Sequence, residues 1–484
     1  MAPVRFILIA AAIACIGCTG QKGETPPVQE PSASAAVRQP LMFHWSEEFG
    51  REVVSPIGRT LPAQMSKPAG LDLPELPANR PLLFVRWPRV PKVNSSSWIV
   101  LAASRAGGPY DLLCTDTNFD GRLSDEMAIH SGAITPSSYV RYRAAETLAV
   151  WGPVKMAATA PADRSSARTG QPVSEPFHVM FTLEDRGPAA GQDRYWLNLQ
   201  SCDWREGQVK IGQGTFVVTL RDFDVDGRFD DVTTEDSIGD YINMRPIANA
   251  QSVEEEGRFI GRFIEVEHQY YEFQVAPDGS WVSFRPAVRV PVGTIHVDKS
   301  VAGFSVFGPS GHFECHPVGG LAQVPVGRYR VRTYGLAATG SDGVGWTMWS
   351  WLPPAEKPFD VNAGHTVQSD LGGPLQLTIA DRVRGGRRHH LMCHVLSAAG
   401  DPLVPLRQEQ PRLPMLHIRN DDGSYDSRFP TSLESLRSSY GWDLQSIMWT
   451  EPTDRKGPFT ATLETDAPFE FVSKPLVIKG NSGS

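Results

Sequence analysis

Period-two alternation of apolar and polar residues constrains this chain more than any other feature. It recurs at residues 98–104, 177–183, 194–199, 215–222, 270–275 and 328–334. Successive side chains of a strand point to opposite faces of a sheet, so the pattern predicts strands with one buried face. Turn residues punctuate it. Pro277-Asp278-Gly279 parts two alternating runs and reads as a hairpin turn, and Asp421-Asp422-Gly423 repeats the device near the C-terminus. The 40 Pro and 44 Gly, spread along 484 residues, favour many short strands over long helices. Helical periodicity is scarce. The best short helix lies at residues 431–439, with Thr431 or Ser432 as N-cap and Glu434 near its third position.

A domain takes about 100–200 residues, so this length predicts roughly three or four of them. Loop-like composition at residues 157–176, three consecutive Glu within 253–257, and Pro- and Gly-rich entries at 286–292 and 372–374 mark soft boundaries. We therefore expect a mainly β chain of several β-sandwich-like domains in tandem, Ig-like or prealbumin-like. Residues 41–285 form one large or two small β domains, and residues 286–375 and 376–480 form two more. Val290-Pro-Val-Gly293 and Val324-Pro-Val-Gly327 look alike and predict the same kind of strand entry.

The N-terminus carries a different signal. Arg5 is the only charged side chain before an apolar run from Phe6 to Ile16, which closes at Gly17-Cys18. The run is too short to span a bilayer, which takes ~20 residues as a helix. Its length and flanks fit a signal peptide. It resembles a bacterial lipoprotein signal, in which the Cys after a small residue becomes the lipidated N-terminus. That resemblance implies cleavage before Cys18 after a signal of residues 1–18, export, and anchoring to the outer membrane or cell surface. Cys15 stands where that family usually has Leu, and Ala12-Ile13-Ala14 offers a second cut site. Residues 19–40 are rich in Pro, Ser, Ala and Gln and predict a disordered tether.

Cys114, Cys202, Cys315 and Cys393 remain in the mature part. Export permits disulfides, and spacing alone does not choose between pairings and four buried thiols. The formal charge of -8 is mild and shows no basic cluster, which argues against a nucleic-acid partner.

Two acidic loops carry the most specific chemistry. Residues 116–126 run Asp116-Thr-Asn118-Phe-Asp120-Gly121-Arg122-Leu123-Ser124-Asp125-Glu126. Residues 222–231 run Asp222-Phe-Asp224-Val-Asp226-Gly227-Arg228-Phe229-Asp230-Asp231. Calcium takes about 6–8 oxygen ligands. Carboxylates and amides at the first, third and fifth positions can converge on one point when the chain curls. Gly at the sixth permits the bend, because it tolerates positive φ. The seventh, Arg122 or Arg228, offers its backbone carbonyl. The eighth, Leu123 or Phe229, can pin the loop to a core. These residues resemble the EF-hand-like loops of dockerins and of many bacterial surface proteins. Both depart from the full pattern at the twelfth position, where Met127 and Thr233 replace the usual Glu. The resemblance implies calcium held by Asp116, Asn118, Asp120, Arg122 and Asp125, and by Asp222, Asp224, Asp226, Arg228 and Asp231. In the second loop Asp230 or a later acid could also close the ligand set. Each loop follows a strand-like run, so a strand and not a helix should lead into it. A sensing role needs a movable helix pair, which neither loop has, so a structural role is expected.

The order of parts is also similar to that of β-rich cell-envelope lipoproteins of bacteria such as planctomycetes, for which no activity is established. The matching pieces are residues 215–231, 270–286 and 324–334. This implies location and fold only.

Two weaker constellations involve histidine and tryptophan. His312, Glu314 and His316 would share one face of a strand, as would His390, Met392 and His394, with Cys315 and Cys393 pointing the other way. Were those strands neighbours, a disulfide could lie inside and a copper or zinc site outside. Trp346, Trp349 and Trp351 crowd one strand, but Trp346 falls on the opposite face, so core packing is the better reading. There is no nucleophile elbow, His-Glu-x-x-His pair or phosphate-binding Gly loop. The sequence thus predicts a non-enzymatic, calcium-stabilised lipoprotein of structural or binding role, whose partners are the membrane and a polysaccharide or envelope protein. The competing readings are a carbohydrate-active or other hydrolytic enzyme on a β scaffold, and a carbohydrate-binding or adhesive module.

Overall fold

The computed structural model describes residues 37–45, 59–87, 97–118, 122–132, 147–157, 176–185, 194–234, 239–247, 257–351, 358–383, 387–401, 403–407, 410–411, 414–431, 446–453 and 458–479. The fold is mainly β, in several separate sheets, and holds no α-helix among the described residues. Residues 432–439 of the expected helix, the signal peptide with Cys18, and most of the expected tether lie outside the described residues. Gln39–Pro40, at the end of that tether, is an edge strand paired with Trp281–Pro286.

The alternation produces the sheets directly. In Arg388–Leu396, His389, Leu391, Cys393 and Val395 are buried while the residues between them are not. Each buried face then needs a partner, and four hydrophobic clusters supply it.

The first unit is an eight-stranded antiparallel sheet. Its order is Ile129–His130, Leu112–Thr115, Ser97–Ala102, Leu82–Trp87, Arg59–Gln64, Tyr195–Ser201, Phe177–Asp185 and Thr147–Met156. Leu83, Val85 and Ile99 from one half share a core with Trp151, Val179 and Phe181 from the other. Trp87 meets Phe181 edge-on within it. The sheet therefore bends around its own core.

The second unit is a sandwich. One sheet runs Gly257–Phe259, Tyr241–Pro246, Gly214–Arg221, Asp203–Ile211 and Met42–Trp45, and the other runs Gln39–Pro40, Trp281–Pro286, Gln269–Val275 and Phe263–Val266. Val209, Val218 and Leu220 of one face Phe273, Val275 and Val282 of the other in a common core. The chain passes from the first unit to the second within one residue. Tyr195–Ser201 ends, Cys202 is buried, and Asp203–Ile211 begins.

Residues 292–478 build four further sheets around one extended core that includes Val306, Tyr334, Leu391, Ile418 and Phe459. Val404–Arg407 pairs with Gly345–Trp351, so residues on both sides of 375 share a sheet. The two look-alike strand entries are partners: Val292 pairs with Pro325, and Gly293 with Val324. The hairpins expected at Asp278-Gly279 and Asp422-Gly423 are formed, with both Gly at positive φ.

Candidate metal centre

Strand Gly214–Arg221 delivers the chain to Asp222. The Asp222 carboxylate organises the loop. Its Oδ1 accepts hydrogen bonds from the N–H of Val225 at 2.6 Å and of Asp226 at 3.2 Å, and its Oδ2 accepts from Gly227 at 2.7 Å. Three donors on one side chain curl the backbone around it. Gly227 sits at φ 84°, and a Cβ there would come within 2.5 Å of the Phe177 ring. Val225 also takes a left-handed φ of 60°, and the Arg228 N–H donates to Asp226 Oδ1 at 2.9 Å.

The loop lies between the two N-terminal units. Val225 is buried in the core of the eight-stranded sheet, and Phe229 in the core of the sandwich. The Phe229 N–H donates to Pro277 O at 2.9 Å, which ties the loop to the hairpin turn of the second sheet.

Within this frame the carboxylates converge. Oxygens of Asp222, Asp224 and Asp226 lie within 4.8 Å of one another, and so do oxygens of Asp224, Asp231 and Asp240. Sequence reasoning missed Asp240. It stands just before strand Tyr241–Pro246, nine residues beyond Asp231, and segment spacing alone gives no sign that the chain returns there. The acid at the head of a strand was the only available hint. Its Oδ1 accepts from the Phe223 N–H at 3.0 Å and its Oδ2 from the Asp231 N–H at 2.8 Å. Gly239 makes the approach possible, since a Cβ there would meet Asp231 O at 2.3 Å.

Asp222, Asp226 and Asp240 are buried, and Asp224 and Asp231 are half-buried. Burial, followed by the Asp226 charge, pushes the carboxyls of Asp222, Asp224 and Asp231 well above the usual carboxylate range. Asp240 is raised by burial and then by Asp231. The loop's own cation gives them little relief. Arg228 is buried and spans both oxygens of Asp230, at 2.7 and 3.0 Å. Asp230 belongs to neither of the two convergent groups. Asp224 Oδ1 and Asp231 Oδ2 are shut off from solvent and accept no hydrogen bond. Buried oxygens in that condition fit a bound cation.

The first loop is less complete. Residues 119–121, Asp120 among them, lie outside the described residues. Strand Leu112–Thr115 leads into it as expected, Asp116 and Leu123 are buried, and Asn118, Arg122 and Asp125 are exposed. Glu126 reaches back to the loop start, where its Oε1 accepts from the Thr117 N–H at 2.8 Å and its Oε2 from the Thr117 hydroxyl at 2.7 Å. The acidic groups able to hold a metal among the described residues include none from this loop.

The condition for a shared histidine face is not met. Gly311–Cys315 and Arg388–Leu396 belong to different sheets, so no shared histidine face forms. His312 is buried, takes the Phe259 N–H on Nδ1 at 3.2 Å, and sits 3.2 Å from Glu314 through Nε2. Cys114, Cys202, Cys315 and Cys393 are all buried free thiols, the second of the two readings that spacing left open. Trp346 is buried in the core and Trp349 is half-buried. Comparison with protein-family models, with curated proteins and with solved structures found no match.

Proposed function

We propose that this protein is a non-enzymatic, calcium-stabilised lipoprotein of the bacterial cell envelope, with a structural or binding role. One observation carries the calcium part. The carboxylates of Asp222, Asp224 and Asp226 converge in a loop wedged between two hydrophobic cores. A cation there would be held by these three and by the Arg228 carbonyl, with Asp231 beside them through its convergence on Asp224. All are hard oxygen donors, which suit calcium over copper or zinc. A loop of buried and half-buried carboxylates suits calcium's variable coordination better than the strict octahedron of magnesium.

The ion would act as a clamp. It binds only the folded loop, so at a concentration about 1,000 times its Kd it adds about 4 kcal/mol to stability. It would also hold the eight-stranded unit against the sandwich. The test is thermal unfolding with calcium and with EDTA. EDTA lowers the Tm of the wild type, and Asp226→Asn shrinks that difference. Superimposed curves for the wild type would sink the calcium reading.

The envelope part rests on the apolar run and Cys18 at the N-terminus. Expression in a bacterium that processes lipoproteins, followed by fractionation, tests it. The wild type partitions with membranes and Cys18→Ser does not; equal partitioning would count against the anchor.

A further inference from the structure

We propose that the loop holds a pair of divalent cations, with Asp224 as the bridge and Asp231 and Asp240 as the ligands of the second ion. The inference rests on the calcium reading above and extends it beyond the loop segment.

Geometry points to the pair first. Two groups of carboxylate oxygens each close to within 4.8 Å, and Asp224 is the one residue common to both. The first group is the loop's own first, third and fifth positions. The second draws on Asp240, which lies outside the loop and heads the next strand. A single carboxylate can give one oxygen to each of two ions about 4 Å apart.

Unmet hydrogen-bonding capacity points the same way. Asp224 Oδ1 and Asp231 Oδ2 are sealed from solvent and meet no donor. Asp224 is the residue the second group shares with the first, and Asp231 is one of the two it adds. Asp240 is fully buried, and each of its oxygens accepts one backbone N–H, which aims the carboxylate and leaves a lone pair on each oxygen for a metal. The Asp240 N–H in turn donates to Asp231 O at 2.9 Å, and the Ile260 N–H donates to Asp240 O at 2.8 Å. The ligand is thus fixed by backbone on both sides.

Charge balance also favours two ions. The two groups contain five distinct carboxylates, and Arg228 is committed to Asp230. Counting Arg59, whose charge favours the ionised form of Asp224, one divalent ion leaves two negative charges in a largely buried space and a second leaves none.

Crystals grown in calcium chloride provide the test on the wild-type chain. Two density peaks about 4 Å apart, one on each side of Asp224, are the expected result. A single peak among Asp222, Asp224 and Asp226 overturns the second ion but keeps the calcium reading. No peak at either place overturns both. Native mass spectrometry in calcium gives a solution check. Asp240→Asn, which keeps the size and one acceptor, binds one calcium fewer than the wild type while the EDTA effect on Tm persists in part. Equal stoichiometry in a folded Asp240→Asn overturns the pair. If that variant does not fold, the crystal result on the wild type decides alone.

Discussion

Val225 and Phe229, four positions apart in one loop, are buried in two different hydrophobic cores. A loop that only decorated a hairpin tip would bury neither. Removing a buried Val side chain costs about 2 kcal/mol, and truncating a buried Phe about 3–5 kcal/mol. Val225→Ala and Phe229→Ala should therefore each lower stability in urea by amounts of that order. The residues share no core partner, so the double variant should lose the sum of the two to within about 0.5 kcal/mol. A shortfall above about 1 kcal/mol would place them in one core.

A second prediction concerns the same junction. Asp203 opens the sandwich, and its carboxylate takes the His178 N–H of the first unit on Oδ2 at 2.7 Å and the His178 ring on Oδ1 at 3.0 Å. Burial pushes the Asp203 carboxyl up to about 6, against the opposing pull of those hydrogen bonds. The unfolded value is about 3.9. A carboxyl raised in the folded state contributes stability below about pH 3.9 and loses it as pH climbs through about 6. The change is at most about 3 kcal/mol. Asp203→Asn keeps an acceptor for the backbone N–H and does not ionise. The stability difference, wild type minus Asp203→Asn, should fall between about pH 4 and pH 6 and level off above. A difference that is flat with pH would refute the assignment.

The cysteines give a third prediction. Cys114, Cys202, Cys315 and Cys393 are buried thiols. Burial raises Cys114 to about 11 and Cys393 to about 12, and raises Cys315 further. Thiolate is the reactive form, so native protein should react with almost no Ellman's reagent. Protein expressed from Thr19 onward, which holds only these four cysteines, should release four thiols in guanidinium without reductant. Release of two or none would mean disulfides.

Much of this fold was legible because alternation is a local property of a strand. The hairpins at Asp278-Gly279 and Asp422-Gly423, the strands ahead of both acidic loops, and the burial of Leu123 and Phe229 all follow from local pattern. What local pattern cannot hold is the long-range return of the chain. Asp240 joins Asp224 and Asp231 only because Gly239 lets two backbones meet, and no spacing rule predicts that. The histidine strands show the converse. His312-x-Glu314-x-His316 has the right period for a ligand face, but its sheet neighbours are Val301–Gly308 and not Arg388–Leu396. Strand pairing, which the sequence does not encode locally, decides whether a shared face exists.

The last prediction separates backbone from packing at the loop's sixth position. Gly70 and Gly227 have similar left-handed φ, 73° and 84°. A Cβ on Gly70 would meet nothing within 4 Å, whereas one on Gly227 would strike the Phe177 ring at 2.5 Å. Gly70→Ala therefore measures the conformational cost alone, about 1–2 kcal/mol. Gly227→Ala adds overpacking against the first unit, about 1–3 kcal/mol more. It also displaces the N–H that donates to Asp222 Oδ2, so the calcium-dependent gain in Tm should shrink. Phe177→Leu in the Gly227→Ala background makes room for the new methyl and should recover part of the packing loss, leaving the backbone cost. Equal losses for the two alanine variants would mean that Gly227 serves only the turn and that the loop does not press on the eight-stranded unit.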